Sequence, residues 1–143
     1  MAIIEAYEVP GDLYYTKDHA WVKIEGEKIR IGVTDFMQKM AGEITFIRLP
    51  RPGKDLETDK TLISLQSGKW AGKILSPVAG RILEINKDLA ANPAPLNTDP
   101  YGQGWVATMT PRNMADVAGL LLFGEEAVAF LHEEIKRTAG LKK

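Results

Sequence analysis

From Tyr14 to Val106, short stretches in which apolar and polar residues alternate are punctuated by Gly, Pro and Asp. A period of two broken at regular intervals is the pattern of strands in a sandwich or barrel. The expected strands are 20–24, 28–33, 43–49, 61–66, 72–76, 80–86 and 104–109, with Glu25-Gly26-Glu27 as the hairpin turn between the first two. The period changes in two places. Asp35 and Gln38 have the spacing of a capping box for a short helix over about 36–40 that ends at Gly42. Beyond Arg112 the spacing becomes helical over 114–122 and 125–138, and the second stretch gathers Val128, Leu131 and Ile135 on one face. Lys136 and Arg137 suit its negative dipole end, and Gly140 its stop. Gly42-Glu43-Ile44 through Ile47 echoes Gly80-Arg81-Ile82 through Ile85, each followed by Lys-Asp-Leu, as two halves of a quasi-symmetric sandwich would be.

Length and charge narrow the picture. A chain of 143 residues can bury one core, so a single domain over 1–143 is expected, with a β core at about 14–110 and C-terminal helices at about 114–139. Its 18 basic and 19 acidic side chains leave a net charge of -1, which argues against nucleic acid or an anionic membrane as a partner. No apolar run approaches the roughly 20 residues that span a bilayer, and Met1-Ala2-Ile3-Ile4-Glu5 lacks the basic start of a signal peptide. A soluble, cytoplasmic protein is expected. Without cysteine there can be no disulfide, thiolate nucleophile or thiolate-bound metal. His19 and His132 lie far apart in sequence, and no glycine-rich phosphate loop or nucleophile elbow is present. An autonomous enzyme is not expected, and redox chemistry would have to be borrowed.

The stretch Leu65-Gln66-Ser67-Gly68-Lys69-Trp70-Ala71-Gly72 is the place where borrowed chemistry could be attached. Small residues on both sides of Lys69 put a lysine on a tight, thinly shielded turn between two strands. A protruding amine can be reached by a modifying enzyme, and acylation converts it to a stable amide without charge. Read locally and by itself, Lys69 is first of all an ordinary solvated hairpin lysine, as most exposed lysines are. Trp70 is the oddity, an indole that either packs on the sheet edge or offers a docking or shielding surface. His19 and Trp21 read as a packed strand start, Tyr101 and Trp105 as pins of the last turn and strand, and His132 as a surface residue.

Motifs spread over Tyr15 to Glu134, among them Tyr-Thr-Lys-Asp-His-Ala-Trp-Val at 15–22 and Asn-Thr-Asp-Pro-Tyr-Gly-Gln-Gly-Trp at 97–105, resemble the H-protein family of the glycine cleavage system. Tyr15-Thr16-Lys17-Asp18-His19-Ala20-Trp21-Val22 is similar to that family's Y-T-x-x-H-x-W-V, Gly32-Val33-Thr34-Asp35-Phe36-Met37-Gln38 to G-I-T-D-x-A-Q, and Leu49-Pro50-Arg51-Pro52-Gly53 to L-P-x-x-G. Ser76-Pro77-Val78-Ala79-Gly80 parallels S-P-V-S-G. Asn97-Thr98-Asp99-Pro100-Tyr101-Gly102-Gln103-Gly104-Trp105 resembles N-x-D-P-Y-G-x-G-W, and Glu125-Glu126 with Ala129-Phe130-Leu131 resembles E-E-x-x-A-F-L.

The resemblance implies a mainly β fold of the lipoyl/biotinyl type, a barrel-sandwich hybrid or flattened sandwich with a short inserted helix and C-terminal helices. It implies a non-catalytic carrier with lipoate attached covalently at Lys69, flanked by Gln66, Ser67, Gly68 and Trp70 where the family has Glu-Ser-Val-Lys-Ala. A lipoyl ligase or transferase would load it. Two departures bear on the pathway, for the family's Glu after His is Ala20 and its Glu before Ser is Gln66. Loss of both acids removes partners for a cationic aminomethyl cargo. The Ser-Gly-Lys-Trp turn also resembles the lipoate-binding proteins of heterodisulfide-reductase-like sulfur oxidation, which the sequence slightly favours as partner system. The alternative is a true glycine cleavage carrier working with glycine decarboxylase, aminomethyltransferase and dihydrolipoamide dehydrogenase. A cofactor-free binding or scaffold protein is the third reading.

Overall fold

The computed structural model describes residues 2–4, 7–68 and 70–141. Near the start of the chain β1 (Ala2–Ile4) pairs antiparallel with β2 (Tyr7–Val9), and β3 (Tyr14–Tyr15) leads into the hairpin of β4 (Ala20–Glu25) and β5 (Lys28–Val33). The β4–β5 register closes with Glu25 opposite Lys28, so Gly26 and Glu27 form a two-residue loop. Gly26 sits at φ 68, the sign that the first central position of such a loop takes in a type II′ turn.

The inserted helix α1 (Asp35–Ala41) runs within a residue or so of its expected limits, but its N-cap is Thr34 rather than Asp35. Thr34 is extended, and its hydroxyl oxygen accepts from the Met37 N–H at 3.1 Å. Asp35 is already committed elsewhere: its carboxylate accepts from the Glu8 N–H, the Gln38 amide and Lys39, which ties β2 to the first helical turn. Gly42, at φ 81, ends the helix as expected.

There follow β6 (Ile44–Arg48), β7 (Asp55–Leu56), β8 (Thr61–Ser67), β9 (Ala71–Leu75) and β10 (Gly80–Ile85). Two one-turn helices, α2 (Asp88–Ala91) and α3 (Pro95–Thr98), precede β11 (Ala107–Pro111). The chain ends in α4 (Ala115–Leu120), β12 (Leu122–Phe123) and α5 (Glu125–Leu141). Strand exceeds helix, 37% to 27%, so the mainly β expectation holds. Seven strands make one sheet in the order β12-β3-β4-β5-β11-β10-β7, three make a second in the order β6-β8-β9, and β1-β2 stands apart.

The principal core lies between the two larger sheets. Val22, Ile31 and Met109 from one join Ile44, Leu65 and Ile74 from the other, all with almost no exposed surface. Because strand side chains alternate, Trp21 points the opposite way from Ala20 and Val22. It enters a second cluster with Val9, Tyr15, Phe36, Ala127 and Leu131, which fastens β2, α1 and α5 to the back of the large sheet.

Several boundaries differ from the sequence reading. The last core strand begins at Ala107, not Gly104, because 99–105 winds through turns in which Gly102 and Gly104 donate to the Asp99 carbonyl. The apolar run from Leu120 to Phe123 does not remain helical; Leu122 and Phe123 pair with Tyr15 and Tyr14. The final helix continues through Gly140 to Leu141, and its most deeply buried apolar residues are Ala127 and Leu131, with Val128 and Ile135 half-buried beside them. The two echoing segments fall in different sheets, and the Lys-Asp-Leu after each becomes β7 in one case and α2 in the other.

Candidate functional site

The hairpin of β8 and β9 carries the site that the sequence singles out. Its register sets Leu65 opposite Gly72 and Gln66 opposite Ala71, and the Ser67 N–H donates to the Trp70 carbonyl at 2.8 Å. With Ser67 facing Trp70, the two positions between them are Gly68 and Lys69, the shortest connection an antiparallel pair allows. Lys69 itself lies outside the described residues. Gly68 is exposed, and a Cβ there would meet nothing within 4 Å, so packing does not require a small residue at that place. A two-residue loop whose first position is bare is compatible with a long acyl group carried on the second.

The flanking side chains divide between the two faces of the sheet. Trp70 is half-buried against the principal core, and its indole lies so close to Gly72 that a Cβ there would come within 2.3 Å of Cζ2. The oddity of the turn is thus resolved toward packing: the ring lies along the strand and occupies the space that Gly72 vacates. The signal was present as Trp-x-Gly, since residues two apart in a strand share a face. Gln66 is exposed, pointing outward beside Phe46 and Ala71.

Ala20, at the other acid-lacking position, has 0% exposure and is part of the principal core. The structure therefore does not bring Ala20 and Gln66 to a common surface. Asp18, the nearest acid in sequence to Ala20, is engaged in structure, accepting from the Leu75 N–H at 2.8 Å and pairing with the Thr16 hydroxyl. Among the described residues no group of three His, Asp or Glu is placed to hold a metal ion. No helix among them is long and apolar enough to cross a membrane.

His19 proves to be a clamp. It has φ 70, a left-handed conformation uncommon outside glycine, in the tight β3–β4 connection. Its ring packs against Phe36 and Phe130, and Nε2 lies 2.8 Å from Glu134 Oε1 on α5. Burial lowers the His19 pKa, against the pull of Glu134. Arg137, bonded to the same carboxylate at 2.8 and 2.9 Å, and then His19 hold the Glu134 pKa down at about 2. Both folded-state values lie below the ordinary ones, so in each case the unfolded chain binds protons first as pH falls. Stability from the His19 site is present at neutral pH and is lost on acidification below about 6.5. Stability from Glu134 is present above the ordinary carboxylate range and is lost between there and about 2. Urea midpoints measured against pH are expected to fall in both windows, and His19→Gln is expected to abolish the upper one. An unchanged upper window in that variant would remove the clamp.

Tyr101 and Trp105 pin the final turn, as expected. The Tyr101 hydroxyl donates to the Glu8 carbonyl and accepts from the Asp35 N–H, while Arg30 stacks 4.5 Å from the Trp105 ring centre. His132 is exposed on α5. Three residues escaped the sequence reading, namely Phe46, Arg48 and Lys73 on the outward face of the small sheet. The complete lack of Asp and Glu from β6, β8 and β9 was the available sign.

A family profile described as glycine cleavage H-protein matches residues 13–134. A Sulfolobus acidocaldarius protein named probable glycine cleavage system H protein 2 is 42% identical over 138 residues, covering 93% of this chain and 92% of its own. The glycine cleavage system H protein of Thermus thermophilus is 39% identical over 114 residues, 80% of this chain and 89% of that one. The crystal structure of a glycine cleavage system H protein from Mycobacterium marinum superposes with a TM-score of 0.77 at 30% identity, covering 88% of this chain and 98% of the other. With profile, sequence and fold in agreement over most of its length, the chain belongs to the glycine cleavage H-protein family, whose members are non-catalytic lipoyl carriers.

Proposed function

We propose that this chain, working as one carrier domain, bears lipoate in amide linkage on Lys69 and serves glycine cleavage. The observation that carries the reading is the two-residue loop at positions 68 and 69 in a chain otherwise built like an H-protein. When bound, the dithiolane supplies a disulfide that opens and closes as one-carbon cargo passes from glycine decarboxylase to aminomethyltransferase and electrons leave through dihydrolipoamide dehydrogenase. The chain's own residues supply position. The Ser67–Trp70 backbone pair fixes the loop, Gly68 leaves its approach bare, and Trp70 seals the strand edge beneath it.

The sulfur-oxidation reading rested on two missing acids, and burial of Ala20 weakens it. A position with no exposed surface favours a small apolar residue for packing reasons, whatever the cargo. The named relatives point to glycine cleavage as well. The test uses protein isolated from its native host. Its intact mass is expected to exceed the sequence mass by one lipoyl amide, and it is expected to support glycine–bicarbonate exchange with the host's glycine decarboxylase. An unmodified mass would return the cofactor-free scaffold reading; a lipoylated protein inactive in exchange would return the sulfur carrier.

A further inference from the structure

The three-stranded sheet carries a surface that the carrier chemistry alone does not explain. In register across its outward face, Arg48 lies opposite Ser64 and Ser64 opposite Lys73. The next row toward the hairpin is Phe46, Gln66 and Ala71. Phe46 is 50% exposed, a large aromatic side chain standing on a flat floor of small and neutral residues. Arg48 and Lys73 form no ion pair among the described residues, whereas Arg30, Arg81, Arg112 and Arg137 on other surfaces each hold a carboxylate. With no Asp or Glu in β6, β8 or β9, this face is cationic in a chain whose net charge is -1.

We propose that this face is the docking surface for the enzyme that attaches the lipoyl group, and that the enzyme meets it with an acidic rim around an apolar recess for Phe46. The inference rests on Lys69 as the acceptor. Two arguments select this occupant. Before modification there is no arm to recognise, so the attaching enzyme must choose one lysine from the protein surface beside it. The Phe46 row is the last outward row before the Ser67–Trp70 pair and the loop. The second argument is charge. In the reaction the Lys69 ammonium gives up a proton, and the free amine attacks the carbonyl carbon of an acyl adenylate. The C–N bond forms, the C–O bond to phosphate breaks with its electron pair leaving on the phosphate, and a second proton departs as the amide forms. The carrier thus presents Lys69, Arg48 and Lys73 as cations before acylation and only the latter two afterwards. An acidic partner therefore holds the substrate more tightly than the product, and release follows the chemistry. A second copy of this chain is a poor occupant, since a two-fold pairing of the face would oppose cation to cation.

The test measures lipoylation by the host's own lipoyl-attaching enzyme with lipoate and ATP, taking the apo-carrier as the varied substrate. Arg48→Glu with Lys73→Glu is expected to lower kcat/KM by about tenfold or more, chiefly through KM, because rim charges act mainly on association. Phe46→Ser is expected to raise KM as well. The wild-type rate is expected to fall with rising ionic strength, and Arg48→Gln with Lys73→Gln to lose that dependence. All these residues are exposed, so thermal melts should match wild type and separate docking from folding. Equal kcat/KM across folded variants, with label on Lys69, would overturn the docking face alone; so would a defect confined to later glycine exchange. Failure of wild type to take label at all would overturn the carrier assignment with it.

Discussion

Lys69→Arg is expected to leave the fold intact and to abolish both lipoyl incorporation and glycine exchange. The substitution keeps the positive charge and the long stem, but the guanidinium stays protonated throughout the accessible pH range and does not serve as an acyl acceptor. A Cβ on the neighbouring Gly68 would meet nothing within 4 Å, so the hairpin is not packed against the rest of the chain at that position. Lys73 is the built-in control. It lies four residues further on, exposed and on the outward face, so if exposure alone governed modification it would be labelled in place of Lys69. Peptide mapping after incubation with lipoate, ATP and the attaching enzyme is expected to find no label on any residue of the variant. Label on Lys73, or undiminished incorporation of any kind, would show that the hairpin position is not what is recognised.

The hairpin was legible because its information is local. The strands flanking it appear at 61–67 and 71–75 where alternation placed them at 61–66 and 72–76, and the β5 limits agree at both ends. The short elements were not legible, because partners rather than periodicity define them. β7 has two residues and exists because Asp55 and Leu56 lie beside Arg81 and Gly80; β12 exists because Leu122 and Phe123 meet β3. The same reason explains the misplaced cap. Asp35 and Thr34 both suit an N-cap, and only the arrival of the Glu8 N–H at the Asp35 carboxylate, 27 positions away in sequence, decides between them. The missing acids show the opposite hazard. Ala20 and Gln66 look equivalent as sequence departures, but one is sealed in the core and the other faces solvent, so only burial separates a packing choice from a functional one.

The largest effect on stability is expected at Trp21, and a glycine on the neighbouring strand explains why. Trp21 is 1% exposed, pairs in register with Gly32, and donates from Nε1 to the Pro100 carbonyl at 2.9 Å. A Cβ on Gly32 would lie 2.5 Å from the indole Cε2 and Nε1, a separation that no relaxation of a few tenths of an ångström relieves. Trp21→Ala is expected to cost about 3–5 kcal/mol from lost burial and the cavity left behind. The Pro100 carbonyl would also lose its donor, and with it the anchor of the turn that carries Tyr101. Gly32→Ala in the wild-type background should cost about 1–3 kcal/mol, because the ring must leave its rotamer or the strands must part. The decisive measurement is the double variant. Once the indole is gone the added methyl group enters the space it occupied, so Gly32→Ala is expected to cost little or to stabilise in the Trp21→Ala background. Urea unfolding of the four proteins in the cycle would show this as a coupling of about 1–3 kcal/mol, the range expected for residues in direct contact. Additive costs would mean that the indole and Gly32 are not the packed pair that fastens β4 to β5 on the α5 side of the sheet.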